Sequence, residues 1–184
     1  MIINYIIKIP NYQTIAMKLL LPLLLLCSTT FAQKLITNKT DEFTGKKIKE
    51  TSVENLAQPL SGFSYRFSFK KINDNVYFNL RIMSHGSVFA IKDGEVLLLK
   101  TADSVIKLSN TEYSISKKGG AGGGLSSGYS EGVSLYFPLN NEAIETIKSK
   151  PIVKMRLYTT DGYSEQDVKA AADKRVKQAI ALVL

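Results

Sequence analysis

Cysteine occurs once in the 184 residues, as Cys27, and histidine once, as His85. A lone thiol excludes an internal disulfide and a cysteine metal site. A lone imidazole leaves structural or catalytic zinc nearly without ligands, since such sites usually take two or more His or Cys. His85, in MSHGSV, is also the one group whose unperturbed pKa suits general base work near neutrality. Nothing in its spacing supplies the nucleophile and carboxylate that a catalytic triad needs.

Other absences narrow the field further. No acids alternate at the spacing of a calcium loop, and no segment repeats at a fixed period. The longest apolar block, Leu19–Leu26, is broken by Pro22 and is far shorter than the roughly 20 residues that span a bilayer. The expectation is therefore no transmembrane helix in the mature chain.

What that block does resemble in layout is an export signal. MKLLLPLLLLCSTTFAQ, Met17–Gln33, has one lysine, a leucine core and a small-polar tail ending in Ala32, the n-region, h-region and cleavage site of a secretory leader. This organisation predicts Met17 as the initiator and residues 1–16 as an upstream extension. It places cleavage after Ala32 and a single domain over residues 33–184. A lipid anchor on Cys27 is disfavoured, because that processing wants a small residue before the cysteine and Leu26 stands there. The expected location is exported: periplasm, cell surface or secreted.

The formal net charge is +8, with a pI near 9.4, and the cations are spread along the chain apart from short groups such as Lys46-Lys47 and Lys174-Arg175. A basic exported protein meets anionic partners such as lipid headgroups or acidic glycans. Nucleic acid is not expected, because the aromatics fall on one alternating face instead of interleaving with lysines.

Periodicity sets the fold class. Phe63, Tyr65, Phe67 and Phe69 alternate with Ser64, Arg66, Ser68 and Lys70, and the alternation resumes as Val76, Phe78, Leu80 and Ile82 after Asn73-Asp74-Asn75. Period two on both arms predicts an antiparallel hairpin with one buried face. Further hairpins are expected at Asp93-Gly94 and Ala102-Asp103-Ser104, and the unbroken apolar run Val96–Leu99 predicts a strand covered on both faces. Asn140 or Asn141 caps a short helix bearing Ile144 and Ile147 and followed by Pro151. From Ser164, a capping-box variant opens a C-terminal amphipathic helix along Val168, Ala172, Val176, Ile180 and Val183, whose Lys174, Arg175 and Lys177 suit its dipole. The sum is α+β: a mostly antiparallel meander of about seven or eight strands, open or partly closed, with one short helix and a C-terminal helix packed on it.

Seven of the twelve glycines stand in KKGGAGGGLSSGYSEG, Lys117–Gly132. A phosphate loop needs a Gly-Lys-Ser/Thr ending and a helix directly after it; here the lysines come first and a strand follows. The stretch is read as a loop between strands, and its candidate partner contacts are Lys117, Lys118, Gly122, Gly124 and Tyr129. No catalytic residue, metal ligand or cofactor motif emerges. The leading expectation is a non-enzymatic binding or envelope-associated module. A small-molecule or lipid carrier with an apolar cavity, and a hydrolase of envelope polymers built from distant acids such as Glu95, Asp103, Glu131 and Asp161, are the alternatives.

Overall fold

In the computed structural model the described residues are 34–58, 62–84, 87–121 and 131–184, all within one compact unit of the chain. The aromatic hairpin is its centre. Strands β4 (Phe63–Ile72) and β5 (Asn75–Ser84) pair antiparallel from Phe63 against Ser84 down to Ile72 against Asn75. The turn is thus the two residues Asn73-Asp74, one shorter than the sequence suggests, with Asn73 in the left-handed region at φ 53. Asparagine tolerates that conformation better than other non-glycine residues.

Around this hairpin a seven-stranded antiparallel sheet assembles. Strand β1 (Leu35–Thr40) pairs with β2 (Lys47–Thr51), β2 with the turn end of β4, and β3 (Glu54–Ala57) with the other end of β4. On the far side β5 pairs with β11 (Glu131–Leu139), which carries the two-residue β10 (Lys117–Lys118) at its start. Thr51 explains how β2 passes into β3 along one edge. It is fully buried, and its hydroxyl accepts the Phe69 N–H at 2.9 Å where the backbone ladder is interrupted.

A second sheet has four strands in the order β13 (Gly162–Asp167), β12 (Ile152–Thr159), β7 (Val96–Thr101) and β8 (Val105–Ser109). Strands β6 (Ala90–Ile91) and β9 (Ser114–Ile115) form a separate ribbon. All pairings are antiparallel and no sheet closes into a barrel. The α+β architecture is the expected one. Several short strands, among them β1, β3 and β10, lie outside the periodic segments read from sequence.

Four local expectations are corrected. The Asp93-Gly94 turn joins no hairpin: Gly94, at φ +81, hands the chain from the ribbon to the second sheet, where β6 pairs with β9 and β7 with β12 and β8. Val96 and Leu98 are only half-buried while Leu97 and Leu99 are fully buried, so β7 has one core face despite its unbroken apolar sequence. Residues 162–167 are a strand and not the first turns of a helix. Gly162, at φ +125, makes a tight return after β12, and Glu165 meets cations across the strand pair. The C-terminal helix α2 (Ala170–Val183) starts six residues later than predicted, and its Lys169 cap position has no side-chain hydrogen bond.

The fourth correction concerns the dipole. The last turn of α2 contains no basic residue. Its C-terminal oxygens are met instead from the sheet, Lys49 Nζ donating to Val183 O at 3.5 Å and Lys71 Nζ to Leu184 O at 3.3 Å. Cations at a helix C-terminus are favourable whichever element supplies them.

Helix α1 (Asn141–Ser149) follows its expected design. Asn140 Oδ1 accepts the Ala143 N–H at 2.8 Å, and Ile144 and Ile147 are buried. Both helices and both sheets contribute to one core, in which Phe67, Phe69 and Phe78 are fully buried. Phe67 stacks on Phe78 with ring centres 6.0 Å apart, and Phe69 meets Phe78 edge-on at 5.3 Å. Burying three such rings contributes several kcal/mol, on the order of 2–3 each.

Candidate functional site

The opposite face of the hairpin is polar, and the register decides what meets there. Because Phe67 pairs with Leu80, Arg66 stands directly opposite Arg81, Ser68 opposite Asn79 and Lys70 opposite Tyr77. The next strand continues the rows, with Ser134 beside Arg81 and Tyr136 beside Asn79. Like charges directly opposite on neighbouring strands are destabilising by a few tenths to about 1 kcal/mol. An arginine pair in the middle of a sheet face therefore calls for a counter-charge.

The structure supplies little of one. Glu50 Oε1 approaches Arg81 Nη2 at 4.0 Å, both side chains being about one-fifth exposed. Arg81 Nη1 also reaches the Ala121 carbonyl at 3.5 Å, the far limit of a hydrogen bond. The Nε atoms of Arg66 and Arg81 are buried without an acceptor. The Arg66 side chain makes no hydrogen bond or ion pair with any described residue, although Arg66 is half-buried. Arg175 also has a buried Nε without an acceptor, but its Nη2 donates to Asn55 O at 3.0 Å. Arg66 has no such relief.

Below the guanidinium groups lies a rigid floor. Ser68 and Asn79 are fully buried; Asn79 Nδ2 donates to Ser68 Oγ at 3.2 Å, and Ser134 Oγ donates to Asn79 Oδ1 at 3.3 Å. This ladder crosses three strands and leaves the arginines as the site's open donors. Lys70 adds a third cation to the face and sits 5.8 Å from the centre of the Tyr136 ring. Among the described residues, the carboxylate near Arg66, Arg81 and Lys70 is that of Glu50.

One edge of the site is built by glycines. Gly119, at φ +69, turns the chain after β10, and Gly120 N–H returns to Lys117 O at 2.9 Å. The chain then lies against Gly132. A Cβ on Gly120 would fall 2.1 Å from Gly132 O, and one on Gly132 would fall 2.7 Å from Ala121 Cβ and 2.8 Å from Ala121 N. Only bare backbone at both positions lets Ala121 sink into the sheet, nearly fully buried, with its carbonyl toward Arg81. Glycines of the neck thus have a packing reason that sequence reasoning did not find.

Of the residues singled out from sequence, Lys117 and Lys118 are exposed on β10, paired with Gly132 and Glu131. They stand at the same end of the sheet as the arginine pair. Gly122, Gly124 and Tyr129 lie outside the described residues, as do His85 and the segment 1–33 with Cys27. Two of the acids considered for hydrolysis are held in their own turns: Glu95 Oε2 accepts the Lys92 N–H at 2.9 Å, and Asp103 accepts from Thr101 Oγ1 and pairs with Lys150 at 3.0 Å. Among the described residues no group of three His, Cys, Asp or Glu is placed to hold a metal.

The aromatic face of the hairpin is packed ring on ring in the core. A groove of about 590 Å³ between β3 and α2 has Leu56 and Ala172 in its wall but is also lined by Asn55, Gln166, Asp167 and Arg175. No described helix is long and apolar enough to cross a membrane. No protein-family model, curated protein or solved structure matches the chain.

Proposed function

We propose that this protein is a non-enzymatic, exported binding module that recognises an anionic group on the polar face of its main sheet, between Arg66 and Arg81. The observation that supports it is the half-buried Arg66, whose side chain has no partner among the described residues, directly opposite a second arginine whose nearest described carboxylate is 4.0 Å away. An oxyanion, whether carboxylate, sulfate or phosphate, accepts from guanidinium forks in two parallel hydrogen bonds and relieves the mutual repulsion. The Ser68–Asn79–Ser134 ladder holds the strands in register beneath it, so little ordering accompanies binding. Lys117 and Lys118, with Gly119–Ala121 after them, form the adjoining rim.

Thermal unfolding with added phosphate, sulfate or a carboxylated oligosaccharide, at constant ionic strength, tests this. Ligand at one hundred times its Kd stabilises a folded protein by about 2.7 kcal/mol. Arg66→Gln is expected to abolish that response while leaving the ligand-free protein as stable as before or up to about 1 kcal/mol more so, because a like-charge contact is removed. An unchanged anion response in Arg66→Gln and Arg81→Gln would overturn the proposal. So would a large loss of ligand-free stability in Arg66→Gln, which would mark that side chain as structural.

A further inference from the structure

A second surface stands apart from the arginine pair, at the tip of the β1–β2 hairpin. Phe43 there is 99% exposed, and the loop is built to keep it so. Asp41 Oδ1 accepts the N–H of Phe43 at 3.1 Å, the N–H of Thr44 at 2.7 Å and the Thr44 hydroxyl at 2.8 Å. Asp41 also closes the loop through its backbone, donating to Lys46 O and accepting from Gly45 N–H, both at 2.8 Å, with Gly45 at φ +68. A loop tied at so many points does not let the ring fold back onto the sheet.

Charge accompanies the ring. Lys39, Lys46 and Lys47 are exposed on the same hairpin and make no ion pair with a described residue. Beside them runs a groove of about 440 Å³ lined by Gly45, Lys47, Lys49, Lys71, Asn73 and Asp74. Lys49 and Lys71 lean toward the C-terminal oxygens of α2. The acids on this hairpin are Asp41, committed to its turn, and Glu42, and Asp74 lines the groove.

We infer that this tip docks on an anionic lipid surface, Phe43 entering the headgroup region and Lys39, Lys46 and Lys47 meeting lipid phosphates. Aromatic rings settle at the membrane–water interface, and lysines near an anionic leaflet are drawn to it within a Debye length. A single ring projecting past its neighbours suits a fluid surface that closes around it; a protein partner would need a preformed pocket.

The absence of tryptophan from the sequence permits a local test. The full chain carrying Phe43→Trp has one tryptophan, whose emission shifts to the blue and is quenched when brominated phosphatidylglycerol vesicles are added. Because the apolar segment Leu19–Leu26 can itself bind vesicles, quenching at residue 43 is the readout and not sedimentation. Replacing Lys39, Lys46 and Lys47 together by Gln is expected to raise the anionic lipid needed for half-maximal quenching about a hundredfold. Emission that stays at the water-exposed wavelength and unquenched would overturn the inference. So would a blue shift that follows protein concentration without vesicles, which would seat the ring in a second copy, and so would half-maximal quenching unmoved by the triple substitution.

Discussion

The backbone N–H of Ile152, at the start of β12, donates to the carboxylate of Asp173, in the first turn of α2, at 2.9 Å inside the protein. The other oxygen of Asp173 receives Lys177 Nζ at 3.2 Å, and the acid is buried. Helix and second sheet are thereby joined by a polar contact where both would otherwise leave a group without a partner. Asp173→Ala leaves that N–H unsatisfied and is expected to cost about 2 kcal/mol. Asp173→Asn keeps an oxygen acceptor and is expected to retain more than half of it. Urea unfolding measures both, and an Ala variant as stable as the parent would show the contact to be idle.

Glu165 gives the stability a pH dependence of known sign. Lys154 Nζ at 2.7 Å and Arg156 Nε at 2.8 Å hold its carboxyl below the ordinary glutamate value of 4.5, and Arg156 also covers the Tyr163 ring at 4.5 Å. A depressed folded-state pKa means the contribution is complete above the unfolded value and is lost as pH falls through the folded one. Asp41 and Asp103, each held low by its own hydrogen bonds, act in the same direction. The melting temperature is expected to fall on acidification from about pH 5 toward pH 3, and to fall less steeply in Glu165→Gln. Parallel slopes for parent and variant would show that the pair has no role in acid unfolding.

Gly132→Ala tests the neck of the glycine loop. Its added Cβ meets backbone and side chain of Ala121 below 3.0 Å, and Ile82 O at 2.9 Å, atoms that cannot swing away. An overpacked site of this kind costs about 1–3 kcal/mol, seen as a lower melting temperature. The displaced Ala121 carbonyl also leaves Arg81, so the anion response of the variant should change along with its stability. A Gly132→Ala protein with parental stability would show the close approach to be soft.

Much of the fold could be read from the chain, and the place where reading failed is instructive. Alternation from Phe63 to Phe69 and from Val76 to Ile82 was enough for the central hairpin, because period two admits one buried face. A three-residue turn, however, would slip the register by one and set Arg66 against Ile82. The aromatic face itself requires Phe67 opposite Leu80, which demands the two-residue Asn73-Asp74 turn and brings Arg66 to Arg81. The signal for the site is present in the alternation, since Arg66, Ser68 and Lys70 share the face opposite the aromatics, but the partner of each across the sheet depends on the register. Ser164–Asp167 misled for a different reason: a helix-start pattern also fits a strand when Glu165 finds Lys154 and Arg156 across the pair.

The sequence by itself determined the antiparallel elements, the Asn140 cap, the apolar stripe of the last helix and the near-absence of thiol and imidazole chemistry, because each follows from local periodicity or composition. Only the tertiary structure decided which strands distant in sequence become neighbours. Strand β11 lies beside β5 across some fifty residues, Lys49 and Lys71 meet the end of α2, and Ala121 settles on Gly132 beside Arg81. Such pairings depend on which distant surfaces bury one another best, a free energy that no window of neighbouring residues contains.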